Sequence, residues 1–371
     1  MSRSRALVVF GIVALSLICF SWSPASRRLR AVQMLDRLSG STMVDASQPI
    51  ISTQDVDVPS GTGFATHTRL YWRTDRPKGR GIVLAHGVHH AGIEERRLVA
   101  FARSLADAGM VVSTPQLRDL ADYRITGRGV TEIRAAVTDL STRRDLVDTS
   151  RVGLIGFSFA GGLSLVAATD PALEPHLAYV VSVGGHHRLD RVLRFFVTDR
   201  IDTPDGPVEL KAHDYGLVVL LHGHVDKFVL EEDRDVLSEA LRAWLQEDRD
   251  TARELAKRCK TAVCTSLFAH VADDTLEVIG PRVMELIADN QSALDALSPA
   301  GRLHDVPVPI YLLHGSSDTV IPATEVAWAE RELAGRDYRA IVTPLIDHVE
   351  VSKQATWWDK VELVDFMSAL L

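Results

Sequence analysis

A serine stands where an apolar run gives way to small residues, in the stretch GFSFAGG at 156–162. The run before it, VGLIGF at 152–157, is typical of a buried strand, and the small residues after Ser158 are typical of a helix packed closely on a sheet. A serine at such a sharp turn has a strained backbone, and the residues two before and two after it must be small. Gly156 and Ala160 meet that requirement. The pattern therefore predicts a nucleophilic serine beside helix N–H groups that can bind an oxyanion.

Serine is a weak nucleophile at neutral pH, so the site needs a general base and a group that orients that base. Asp318 follows the apolar run IYLLHG, in a loop that Pro322 closes, and His348 follows the last predicted strand, in TPLIDHVEV. In parallel sheets the ends of such strands meet at one edge. We expect His348 to take the proton of Ser158 while Asp318 holds the other ring nitrogen.

A second acid and base pair has a similar local sequence. The stretch LVVLLHGHVDKF at 217–228 also contains Leu-Leu-His-Gly and an aspartate, Asp226, and His270 follows it. If this pair completed the site, the strand and helix pattern over 309–371 would have no role. We therefore favour Asp318 and His348.

These motifs resemble those of the α/β-hydrolase superfamily from about residue 67 to the end, apart from a long insertion. The serine motif has Ala160 where the commonest form has glycine, a small change that keeps the steric requirement. The stretch VLAHGVHHAG at 83–92 matches the loop that carries an oxyanion donor in that superfamily. The resemblance implies that the backbone N–H groups of Val88 and Phe159 form the oxyanion hole.

The resemblance also implies a structural role for His86. His89 and His90 either line the pocket or are solvated loop residues. The chain has 14 histidines and 3 cysteines, but their spacing matches no familiar metal site, and we expect neither a metal nor another cofactor. Cys259 and Cys264 could form a disulfide only if the backbone between them is not helical.

Around these motifs, short apolar runs alternate with amphipathic helices, which predicts an α/β fold with a mostly parallel central sheet and helices on both faces. Between about 190 and 305 this alternation gives way to charged helices, one of which has an apolar stripe ending at Trp244. We expect these helices to form a cap insertion over the site. The predicted organisation is an N-terminal signal-anchor or signal peptide (1–25), a linker (26–52), the first part of the core (53–195), the helical cap (196–305) and the second part of the core (306–371).

The N-terminal segment has an uncharged apolar run, Ala6–Trp22, after two arginines. Its length is at the border between a cleaved signal peptide and a transmembrane helix. We expect either membrane association through residues 6–22 or export after cleavage.

The net charge of -8 argues against nucleic acid as a partner. The site predicts a serine hydrolase that cleaves carboxylic esters, with a small-molecule ester or a lipophilic acyl substrate. A peptidase, a thioesterase or an acyltransferase would use the same triad, and a peptidase could hold a free amino terminus with Glu231–Asp233. A binding protein that has lost catalysis is the alternative from another class.

Overall fold

In the part of the chain that the structure describes, eight strands form one central sheet, and two small hairpins lie outside it. A computed structural model describes residues 51–61, 63–347, 350–351, 363, 365–366 and 368 of the chain. The strands of the central sheet are β1 (Ile51–Pro59), β2 (Ala65–Arg73), β3 (Gly81–Ala85), β4 (Val111–Pro115), β5 (Val152–Phe157), β6 (Leu177–Val183), β9 (Ile310–Gly315) and β10 (Tyr338–Thr343).

The strand order is β1-β2-β4-β3-β5-β6-β9-β10. All pairs from β4 to β10 are parallel, and only β1 and β2 join the sheet in antiparallel register. The predicted mostly parallel sheet is therefore confirmed. β1 begins at Ile51 and overlaps the end of the segment predicted as a linker, because its polar, largely exposed residues give little strand signal.

Successive residues of β3 point into two apolar layers, as the twofold alternation of a strand requires. Ile82 and Leu84 pack in the layer that contains Leu98 of the first long helix, and Val83 packs in the layer that contains Ile133. Helices thus cover both faces of the sheet. Between residues 51 and 347, the α-helices outside the insertion are α1 (Arg96–Asp107), α2 (Arg118–Ala121), α3 (Gly127–Thr142), α4 (Phe159–Ala168) and α12 (Thr324–Glu332).

The chain between β6 and β9, residues 184–309, adds no strand to the central sheet, and we call it the insertion. β6 and β9 are direct neighbours, so the whole insertion leaves the sheet and returns to the adjacent strand. Its apolar core is continuous with the layer that contains α3 and α4. The elements of the insertion are α5 (Leu189–Thr198), the hairpin β7 (Arg200–Thr203) and β8 (Gly206–Glu209), α6 (Tyr215–Gly223), α7 (Glu231–Leu245), α8 (Arg249–Ala256), α9 (Ala262–Ala272), α10 (Gly280–Asp289) and α11 (Gln291–Ala296).

A disulfide joins Cys259 to Cys264 in the insertion, with their Cα atoms 5.7 Å apart. α9 begins only at Ala262, so the chain between the two cysteines is not one continuous helix, which is the condition that the sequence set. The carboxylate of Asp233 lies within 4.8 Å of both sulfur atoms, but sulfurs joined in a disulfide offer no thiolate to a metal ion. This carboxylate accepts the backbone N–H groups of Lys260 (2.7 Å) and Thr261 (3.0 Å).

None of the helices in the described part of the chain is both long and apolar enough to span a membrane. The predicted anchor or signal at residues 6–22 lies outside that part.

Candidate active site

Ser158 occupies the turn between β5 and α4 with a positive φ, at φ 54° and ψ -132°. A positive φ is uncommon for any residue with a side chain and marks a strained position. The turn is held by two short backbone hydrogen bonds: the Ser158 N–H donates to Val183 O at 2.8 Å, and the Gly161 N–H donates to Ser158 O at 2.7 Å. The backbone therefore has the geometry of a nucleophile elbow.

Small residues surround this turn because there is no room for larger ones. A β-carbon on Gly156 would collide with the carbonyl oxygen of Ala160 and the hydroxyl of Ser164. A β-carbon on Gly87 would lie 3.0 Å from Cβ of Ser158 and 3.6 Å from its Oγ. The loop that follows β3 thus lies directly against the serine.

One predicted oxyanion donor, Phe159, directly follows Ser158, and the other, Val88, directly follows the Gly87 that lies against this serine. Phe159 is the first residue of α4, so its N–H has no partner within the helix and lies at the positive end of the helix dipole. Val88 follows Gly87 in the loop after β3. Its carbonyl oxygen accepts a hydrogen bond from the hydroxyl of Tyr215 at 3.2 Å, and this bond brings the insertion onto the loop.

His86 connects the loop after β3 to the backbone around it. Its Nδ1 lies 2.7 Å from Gly87 O, and its Nε2 lies 3.0 Å from the backbone nitrogen of Leu117, which donates to it. Burial lowers the pKa of His86 to about 4, so the ring is neutral at neutral pH. Both ring nitrogens are used by the backbone, which supports a structural role.

The neighbouring histidines also have protein partners. Nδ1 of His89 accepts the N–H of Ala91 at 3.1 Å, and the His89 and His90 rings stack at 4.5 Å. Nδ1 of His90 lies 3.2 Å from the hydroxyl of Tyr123.

Asp318 is buried in the loop after β9, with 2% of its surface exposed. Its Oδ1 accepts the N–H groups of Val320 and Ile321, both at 2.9 Å. Its Oδ2 lies 3.4 Å from Nε2 of His314, which also donates to Ile321 O at 2.7 Å. The motifs did not single out His314, although it stands in the same IYLLHG stretch. The carboxylate is therefore fixed in one orientation.

The sheet brings Ser158 and Asp318 to the same side, at the C-terminal ends of its parallel strands. Ser158 directly follows β5 and Asp318 follows β9, and only β6 lies between these strands. Two strand spacings are about 10 Å. An imidazole that enters from a neighbouring loop could connect the hydroxyl to the carboxylate across that gap.

The predicted base, His348, lies outside the described residues. The chain that leads to it is held beside the acid loop, because the N–H of Ser316 donates to Thr343 O at 3.0 Å.

The other acid and base pair has local partners. Asp226 forms an ion pair with Lys227 at 3.0 Å on an exposed turn, and Nδ1 of His270 bonds to Thr275 Oγ1 at 2.9 Å. The stretch LVVLL lies in α6, a buried helix, whereas the similar sequence before Asp318 forms a strand.

Comparisons with known proteins identify the fold. No protein-family model and no curated protein matches the sequence. The structure is similar to an acylaminoacyl peptidase in complex with Z-Gly-Gly-Phe-chloromethyl ketone, with a TM-score of 0.50 at 14% identity, over 84% of this chain and 40% of that one. It is similar to the uncomplexed Pyrococcus horikoshii acylaminoacyl peptidase, with a TM-score of 0.50 at 15% identity, over 87% and 40%. The chain has the α/β-hydrolase fold.

This chain spans about two fifths of the length of those two peptidases. A Pyrococcus furiosus esterase is also similar, with a TM-score of 0.47 at 14% identity, over 86% of this chain and 91% of that one. In the α/β-hydrolase fold the nucleophile, the acid and the base follow one another in the order in which Ser158, Asp318 and His348 occur here.

Proposed function

We propose that this protein is a serine hydrolase that cleaves carboxylic esters through an acyl-enzyme intermediate. The observation that carries the proposal is the strained backbone of Ser158, with its positive φ, at the C-terminal end of the strands where the buried Asp318 also lies. Strained backbone conformations cluster at active sites, and this turn lies where the α/β-hydrolase fold has its nucleophile elbow.

In the proposed reaction the Ser158 hydroxyl attacks the acyl carbon and transfers its proton to His348. Asp318 orients the imidazole and stabilises the imidazolium. The backbone N–H groups of Val88 and Phe159 bind the oxyanion, which is usually the largest single contribution to catalysis. The imidazolium then protonates the leaving alcohol. In the second step His348 takes a proton from water, which attacks the acyl carbon, and returns it to the Ser158 oxygen as the acid leaves.

The acidic stretch Glu231–Asp233 gives little support to a peptidase that holds a free amino terminus. Glu231 and Glu232 are exposed, whereas the carboxylate of Asp233 is buried and already bound to the backbone of Lys260 and Thr261. A small-molecule ester or a lipophilic acyl group remains the substrate class that we propose.

The test uses purified full-length chain, a fluorophosphonate probe and a panel of p-nitrophenyl esters of increasing acyl length. We expect the wild-type protein to be labelled and to hydrolyse at least one ester, and Ser158→Ala to lose both properties. Ser104→Ala is the matched control, because its hydroxyl only donates to Ala100 O within α1. It should be labelled like wild type.

Labelling that persists in Ser158→Ala would show that Ser158 is not the nucleophile. A folded wild-type chain with neither labelling nor turnover would favour the binding protein over the enzyme. Turnover of peptides or thioesters in preference to oxygen esters would keep the triad and change the substrate class.

A further inference from the structure

The start of α6 connects two loops of the candidate active site. The backbone N–H of His213 donates to Thr319 O at 2.9 Å, and Thr319 directly follows Asp318. The hydroxyl of Tyr215 donates to Val88 O at 3.2 Å. Residues 213–215 of the insertion therefore contact both the acid loop and the loop that carries the proposed oxyanion donor.

The same side of α6 reaches the oxyanion loop by a second route. His222 is about two helical turns after Tyr215, so the two side chains share one face of the helix. The His222 ring packs edge-on against Tyr123 at 5.8 Å, and the Tyr123 hydroxyl lies 3.2 Å from Nδ1 of His90. Tyr123 keeps this position although its φ of 58° is unfavourable for a bulky residue. One face of α6 thus contacts the loop directly at Val88 and reaches His90 through Tyr123.

The Tyr215 hydroxyl can act as a hydrogen-bond donor to Val88 O at all times. Burial raises the pKa of its phenol well above the ordinary value, so the hydroxyl keeps its proton at neutral pH. A carbonyl oxygen can only accept, so the bond has one direction. Because it fixes the carbonyl of Val88, it restricts rotation of the backbone next to the Val88 N–H. An oxyanion donor is effective only when it is aimed before the charge develops.

We propose that Tyr215 is a positioning residue that holds the oxyanion loop in its catalytic conformation and makes that conformation depend on α6. This inference rests on the proposed function, since Val88 matters to catalysis only if its N–H binds an oxyanion. Tyr215 does not touch the reacting atoms and acts through Val88.

The test is Tyr215→Phe, which removes one oxygen atom and keeps the ring. We expect kcat to fall by about 10- to 100-fold, less than the loss of a whole oxyanion donor, with KM changed by no more than about twofold. The affinity for an alkyl boronic acid, which forms a tetrahedral adduct with the serine, should fall by the same factor as kcat/KM. Tyr338→Phe, on β10, is the matched control and should change neither value.

Each assay is normalised to active sites titrated with the fluorophosphonate, so partial unfolding of the variant cannot imitate the effect. A wild-type enzyme that is labelled and active, with Tyr215→Phe at wild-type kcat and boronate affinity, would overturn the role of Tyr215 and leave the proposed function intact. A loss confined to KM would also overturn it. A wild-type chain that is neither labelled nor active would overturn both proposals.

Discussion

Glu325 of α12 binds Arg191 of α5 through both carboxylate oxygens, at 2.6 and 3.0 Å, with only 2% of the Glu325 side chain exposed. Oε2 of Glu325 also accepts the N–H groups of His187 and Arg188, each at 2.8 Å. His187 and Arg188 precede α5, at the start of the insertion, whereas α12 follows the acid loop. One buried carboxylate therefore joins the beginning of the insertion to the second part of the core.

The variant Glu325→Gln should lower the free energy of unfolding at neutral pH by about 3–5 kcal/mol, because it leaves a largely buried guanidinium without its counter-charge. Urea denaturation would measure the difference. Glu254→Gln is the matched control, since Glu254 pairs with Lys257 on the surface with 71% of its side chain exposed. Such exposed pairs contribute about 0–1 kcal/mol. An equal effect of both variants would contradict the importance of the buried pair.

The same carboxylate should make stability depend on pH. Burial acts to raise the pKa of Glu325, but Arg191 and the backbone donors outweigh it, so the pKa lies below the ordinary value of 4.5. A lowered pKa in the folded state means that the unfolded chain takes up the proton first, so this contribution is present above pH 4.5 and is lost as the pH falls through the folded value. Thermal unfolding across that range should show a smaller acid-induced drop for Glu325→Gln than for wild type. Parallel curves would exclude this carboxylate as a source of the pH dependence.

The acid of the candidate triad can be tested with Asp318→Asn. The asparagine oxygen can still accept the N–H groups of Val320 and Ile321, so we expect the protein to fold. The amide cannot stabilise an imidazolium, and in a serine protease the corresponding change lowers kcat by about 10⁴-fold. We expect a loss of similar order on the best p-nitrophenyl ester. Asp226→Asn, on an exposed turn, should keep full activity, and the opposite result would transfer the role to Asp226.

The strands that the sequence predicts best are those buried on both faces. β3 and β5 are continuous apolar runs, and such runs are recognisable without knowledge of their neighbours. β1 and the hairpin β7–β8 give little signal because most of their residues are polar or exposed. Their pairing depends on a partner strand, which periodicity within one segment does not report.

A similar distinction applies to the candidate site. Ser158 and Asp318 are each marked by a local pattern, an apolar strand followed by a turn with small or loop-closing residues. Tyr215 has no such pattern, because its partner Val88 is 127 residues away in the sequence. Contacts of this kind follow from how the insertion packs on the core. Local patterns therefore mark the residues proposed for the chemistry, but not the residue proposed to position them.

The disulfide in the insertion should contribute to stability independently of the site. In the entropic account, closing so short a loop lowers the entropy of the unfolded chain and raises the free energy of unfolding by about 2 kcal/mol. Asp233 already holds the backbone of Lys260 and Thr261 within that loop, so the folded shape should persist without the bond. We expect the double variant Cys259→Ser/Cys264→Ser to melt several degrees lower than wild type with unchanged kcat. Wild type reduced with dithiothreitol should match it, and a double variant that melts at the wild-type temperature would contradict a stabilising role for the disulfide.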